Sequence, residues 1–200
     1  FDAGFRYNNS VSFNGATDRS EYYVSFSQIS DNGMIPTDAD SYDKYTFSAR
    51  GSHKVKALTF SSSLNYSYQK NKFATTGQGL TMLNSLYQTP RDISIISLQN
   101  QDDIFNSPGY FYTPYGVMNP YYILENYLNE YDAERFYGKF QVDYDFLKYF
   151  KFTYRMGLDT TTGQSNRGEP NLYALFYEGT PNGEGMGSNS PFYGKEGSYS

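Results

Sequence analysis

Hydrophobic and polar residues alternate strictly along several stretches of the chain, the pattern of a strand whose two faces meet different surroundings. The clearest stretch runs from Leu58 to Asn71. Leu58, Phe60, Leu64, Tyr66 and Tyr68 share one face, with Ser62 the only interruption, and Thr59, Ser61, Ser63, Asn65, Ser67, Gln69 and Asn71 share the other. Phe136, Phe140, Val142, Tyr144 and Phe146 oppose Tyr137, Lys139, Gln141, Asp143 and Asp145 in the same way. Phe150, Phe152, Tyr154, Met156 and Leu158 oppose Lys151, Thr153, Arg155 and Asp159. Shorter runs around Tyr45–Ala49, Tyr22–Phe26 and Val11–Phe13 bring the predicted strands to six.

The connections sort by length. Gly15 to Ser20, His53 to Ala57 and Leu147 to Tyr149 are short, whereas 31–41, 74–133 and everything after Thr162 are long. In an up-and-down sheet every second connection lies at the same end, so one end is trimmed to tight turns and the other carries the large loops. Transmembrane β-barrels have this asymmetry, together with an apolar, aromatic-rich outside and a polar inside. The polar faces carry Lys44, Arg50, Lys139, Asp143, Lys151 and Arg155, a charge density natural for a water-filled lumen. The expected fold is therefore all-β: a segment of an antiparallel up-and-down transmembrane β-barrel, with short periplasmic turns and long extracellular loops. Barrel strands and loops are expected over 1–163, with a long extracellular loop at about 74–133 and a further one over 164–200. Six strands cannot close a useful bore, because barrels of about eight strands are already filled by their own side chains. The expectation is a piece of a larger barrel.

Composition sharpens this picture. Tyr 23 and Phe 16 raise the aromatic share to 20%, which excludes a disordered chain, and Cys 0 excludes a disulfide scaffold. A formal charge of -5 argues against a nucleic-acid partner. A competing reading is a soluble or surface β-sheet protein that holds carbohydrate with its tyrosines.

The order of motifs resembles the SusC/RagA-like branch of the TonB-dependent outer-membrane transporters. Val11-Ser12-Phe13-Asn14-Gly15 is followed by Tyr22-Tyr23-Val24-Ser25-Phe26, Asp31-Asn32-Gly33-Met34-Ile35 and Tyr45-Thr46-Phe47-Ser48-Ala49-Arg50. Leu86-Tyr87-Gln88-Thr89-Pro90 and Asn119-Pro120-Tyr121-Tyr122-Ile123-Leu124 follow as landmarks of the long loop. The likeness spans about Ser10 to Thr162. Asn14-Gly15 stands in place of a common Gly pair, and Tyr121 where the family often has Trp. The resemblance implies a multi-pass β-barrel in the cell outer membrane that imports oligosaccharides or peptides. Its implied partners are outer-membrane lipid, a nutrient substrate, a SusD-like surface lipoprotein and TonB. The TonB contact and the plug domain are expected in a part of the protein not in this chain.

Candidate sites follow from residue type and placement. Tyr110-Phe111-Tyr112-Thr113-Pro114-Tyr115 is unusually aromatic for a loop. Tyr110, Tyr112, Tyr115, Tyr121 and Tyr122 either contact substrate or partner, since exposed aromatic patches mark interaction surfaces, or pack the loop against itself. Lumen-facing Arg50, Lys139, Asp143 and Arg155 either line a transport path or pair with one another. Leu80, Leu83, Leu86 and Tyr87 have helical spacing, ended by Pro90. The single His53 supports neither a zinc site nor a hydrolytic triad, and no cofactor, metal or enzymatic activity is expected. Asp102-Asp103 and the Asp38/Asp40 pair read as solvated loop charge before calcium ligands.

Overall fold

A computed structural model describes residues 2–108, 110–111, 118–146, 149–170 and 192–199. Seven strands form one antiparallel sheet in simple chain order: β1 (Arg6–Ala16), β2 (Ser20–Asp31), β3 (Ser41–Val55), β4 (Leu58–Lys72), β5 (Leu128–Phe146), β6 (Phe150–Glu169) and β7 (Phe192–Tyr199). Neighbours in sequence are neighbours in the sheet throughout. The class is all-β and up-and-down, as the alternation predicts. Among the described residues the sheet is open, with β1 at one edge and β6 and β7 at the other, β7 covering only Thr162–Glu169 of β6.

The register carries the alternation of each strand across to the next. Phe26 pairs with Phe47, Phe47 with Tyr66 and Tyr66 with Phe136. One row away, Val24, Ala49, Leu64, Gly138 and Leu158 follow one another. A one-residue slip would exchange the two faces of a strand, so this continuity fixes the pairing. The short connections cluster at one sheet end. The tightest joins Val55 to Leu58 through Lys56, whose φ is 55°.

The strands differ from their sequence-based limits in one consistent way. β1, β2, β3, β5 and β6 run beyond the alternating stretch at the long-loop end, β2 as far as Asp31 and β6 as far as Glu169. β7 lies within 164–200, where only loop is expected from the sequence. These extensions carry polar residues on both faces, so period-two hydrophobicity vanishes while backbone pairing continues.

The buried side chains lie mostly in the connection from β4 to β5. It contains two short helices, α1 (Met82–Gln88) and α2 (Pro120–Asn126), and 3₁₀ turns at Ile96–Gln99 and Ile104–Asn106. Thr81 caps α1 by accepting from the Asn84 amide, close to the predicted helix; Leu80 and Leu83 pack on the core, while Tyr87 faces solvent. Met82, Met118, Tyr122 and Ile123 form the central cluster, and Leu98 and Phe111 are also buried. Asn119 is wholly buried and fully satisfied. Its Nδ2 donates to the carbonyls of Leu98 (2.8 Å) and Asn106 (2.9 Å), and its Oδ1 accepts from the Tyr121 amide (2.9 Å). Leaving such buried carbonyls unpaired costs about 1–3 kcal/mol each, so this amide ties three parts of the loop together. Asn119-Pro120 thus opens a helix by capping, with Pro at a first-turn position where its missing N–H costs nothing.

The 31–41 connection is held by Asp40, whose carboxylate accepts from the amides of Met34 (3.1 Å) and Ile35 (2.9 Å). Gly33, at φ 66°, lies directly beneath that carboxylate, where a Cβ would collide with it. Asp103 caps the Ile104–Asn106 turn. These two acids therefore organise backbone, and among the described residues no cluster of three potential metal ligands exists.

Candidate functional site

Across β2 to β4 the two faces of the sheet have inverted burial. Along β4 the apolar side chains Phe60, Leu64 and Tyr66 are exposed, whereas Ser61, Ser63, Asn65 and Ser67 are half-buried. β2 repeats this: Tyr22, Val24 and Phe26 are exposed and Tyr23, Ser25 and Ser27 half-buried. A curved sheet crowds side chains on its concave face and splays them on its convex one. The polar face is therefore the concave one, and the convex face is a continuous apolar surface.

That convex surface has limits. On β4 it extends from Leu58 to Tyr68, about 33 Å along the strand and about 25 Å in height at a typical barrel tilt. Stacked rings mark its margins: Phe26, Tyr45 and Tyr68 at one end (6.4 and 6.5 Å between centroids), Tyr144, Phe146 and Phe150 at the other (both 5.7 Å). Beyond Tyr45 and Tyr68 the same face turns charged. Ser30 donates to Asp43 at 2.7 Å, and Glu130 lies 3.9 Å from both Lys70 and Lys72.

The concave face gathers the four predicted lumen residues into two groups. Asp143 is buried and accepts from Thr153 Oγ1 (2.6 Å) and Gln141 Nε2 (2.8 Å), with Lys151 Nζ at 3.8 Å. Arg155 donates to Gln141 Oε1 at 2.9 Å, which joins it to the same network. This cluster lies toward the short turns. Arg50 and Lys139 share a separate depression of about 420 Å³, lined also by Tyr23, Ser25, Ser48, Ser63 and Asn65. The Arg50 guanidinium stacks over the Tyr23 ring at 4.4 Å.

At the long-loop end, the concave face opens into a larger cavity of about 800 Å³. One row of paired residues crosses it: Arg6, Asp31, Tyr42, Asn71, Tyr131 and Ser165. Two tyrosines flank an amide there, a combination suited to stacking and hydrogen bonding with a polar, flat-faced ligand. The sequence reading did not single out Tyr42, Asn71 or Tyr131. Their parity relative to Arg50, Asn65 and Lys139 puts them on the polar face, but only the register joins them.

The loop tyrosines divide. Tyr110 and Tyr121 are half-buried, and Tyr122 is buried inside the loop core, where packing raises its phenol above the ordinary range. Tyr122 therefore packs the loop and presents no contact surface. Tyr127, at the end of α2, is pushed up to about 12, first by burial and then by Glu169 and Tyr122. Tyr112 and Tyr115 lie outside the described residues. His53 bonds through Nδ1 to Ser20 Oγ at 2.6 Å, across β2 and β3 near the short turns.

The class that this fold defines is an all-β protein on an up-and-down antiparallel sheet, concave and polar inside, convex and apolar outside. No family model matches the sequence, and no curated protein is similar to it.

Proposed function

We propose that the sheet is part of the wall of an outer-membrane β-barrel transporter, resembling the TonB-dependent SusC/RagA-like importers of oligosaccharides or peptides. One observation carries this reading: a convex apolar face that crosses six strands and ends, at one level, in a charged row. Isolated exposed apolar residues need no explanation, but a contiguous patch of this extent marks a membrane or protein contact. Its height suits the apolar band of a barrel, about 25 Å, and its stacked margins suit the interfacial aromatic girdles. In lipid the free edges of β1, of β7 and of β6 from Phe150 to Thr161, which β7 does not reach, would each need a partner strand, since unsatisfied backbone groups there cost several kcal/mol apiece. On this reading the long connections face outward, toward a SusD-like surface lipoprotein and the nutrient. TonB engages a part of the protein other than this sheet.

The chain contains no cysteine, so single thiols report on each face. In the intact protein reconstituted in lipid vesicles, a membrane-impermeant maleimide should label Gln78→Cys in the exposed loop and leave Leu64→Cys on the convex face unreacted. Equal labelling at 64 and 78 would place the convex face in water and overturn the proposal.

A further inference from the structure

Four cations on the concave face have a partner among the described residues. Arg135 makes a bidentate pair with Asp159 (3.0 and 2.7 Å), Lys151 approaches Asp143, Arg155 donates to Gln141, and Arg167 pairs with Glu169 at 2.8 Å. Arg50 and Lys139 differ. Neither has a carboxylate or a hydrogen-bond acceptor among the described residues, although Arg50 is fixed over Tyr23. The register explains why they act together: Tyr23, Arg50, Ser63 and Lys139 are consecutive partners in one row across β2 to β5. Two strand spacings place the backbones of Arg50 and Lys139 about 10 Å apart. Both side chains line the same depression, Arg50 from the Tyr23 side and Lys139 from the far side of Ser63.

The neighbouring groups are donors. In the adjoining row Ser25, Ser48 and Asn65 line the same depression, and Ser48 Oγ donates to Asn65 Oδ1 at 2.7 Å, which turns the Asn65 amide N–H₂ outward. Neither of the nearest acids forms an ion pair with Arg50 or Lys139. Asp159 is held by Arg135, and Glu21, diagonal to Arg50, makes no ion pair. The other unpaired cations of this face are dispersed: Arg6 lies on β1 in the row of Tyr42 and Tyr131, Lys44 is six residues along β3 from Arg50, about 20 Å, and Lys54 is four residues the other way, about 13 Å.

We infer that the depression between Arg50 and Lys139 is a binding subsite for a single anionic group, a carboxylate or phosphate, on the ligand that the concave face admits. An oxyanion seated in this depression, between the two cations, would receive a charge-assisted hydrogen bond from each, with hydroxyl and amide donors beside it. The planar guanidinium, held over the Tyr23 ring, presents the fork that carboxylates and phosphates accept in bidentate fashion. This inference deepens the transporter reading and rests on it for the delivery of ligand; the subsite itself needs only the concave face.

The test uses the intact protein in detergent micelles, with D-galacturonate and D-galactose as probes: the same ring with and without a carboxylate. Saturation-transfer NMR should show galacturonate binding at least about tenfold more tightly than galactose. The ratio should fall to near one in Arg50→Gln/Lys139→Gln, and also when ionic strength rises from about 0.05 M to about 0.3 M. Arg50→Lys, which keeps the charge and loses the fork, should retain part of the preference. Equal binding of both sugars by the native protein, or a preference unchanged in the double variant with native strand content by circular dichroism, would overturn the inference. Inorganic phosphate as competitor assigns the preferred anion: displacement of galacturonate by a smaller concentration marks a phosphate subsite, and by a larger one a carboxylate subsite. Thiol labelling at position 64 reads the membrane proposal separately, so a protected Leu64→Cys with no galacturonate preference would defeat the subsite alone.

Discussion

The sheet and the long β4–β5 connection solve opposite problems with similar residues. In the connection, Phe111, Leu98, Met118 and Ile123 are all but inaccessible, and the one wholly buried amide, Asn119, has every bond it can use locally. In the sheet, Phe13, Phe152 and Leu158 are 59–66% exposed, and the residues tucked away are serines and asparagines. The connection is built against water and contains its own core. The sheet is built for a second solvent on its convex side, so its stability depends on surroundings that the connection can do without.

Three substitutions probe that contrast. The largest effect belongs to Phe111→Ala, which removes a buried ring and should cost the connection about 3–5 kcal/mol. Hydrogen exchange would show faster opening over 81–126 and unchanged protection in β2 to β4; a uniform loss over both regions would mean that they share one core. Next comes Leu64→Arg, at mid-height of the convex face between Ala49 and Gly138. It should destabilise the protein in bilayers by about 2–4 kcal/mol, as a charge at the midplane does. In buffer the effect should be close to nil, and a comparable loss there would give the two regions the same solvent. The smallest is Tyr127→Phe. The folded connection holds the Tyr127 phenol near 12 against about 10 unfolded, so it favours the neutral ring. The stability linked to this shift is fully present below about pH 10 and is lost as pH rises toward about 12. A difference titration of phenolate absorbance, native minus variant, should show one group ionising near 12; ionisation near 10 would show that Tyr127 is solvated.

Much of the sheet was legible because one face of each strand is apolar. β4 emerges almost at its observed limits, and the six alternating segments all became strands. The same signal fails where both faces are wet. Leu128–Arg135, the far end of β6 and β7 pair through their backbones with no hydrophobic period to announce them. Site residues follow a similar division. The facing of Arg50 and Lys139 was readable from parity, but their sharing of one depression depends on two registers that no local pattern encodes. Tyr122 was open to both readings, contact or loop packing, and only its clustering with Met82 and Met118, distant in sequence, puts it in the loop core.

The row of Tyr42 and Tyr131 and the row of Arg50 and Lys139 are separated by eight residues on β3 and eight on β5. That spacing, about 26 Å along the strand, makes the concave face a ruler. A compact ligand meets the tyrosines and the cations one after the other. Only an extended chain with an anion near one end touches both at once, so length as well as charge becomes a criterion for admission.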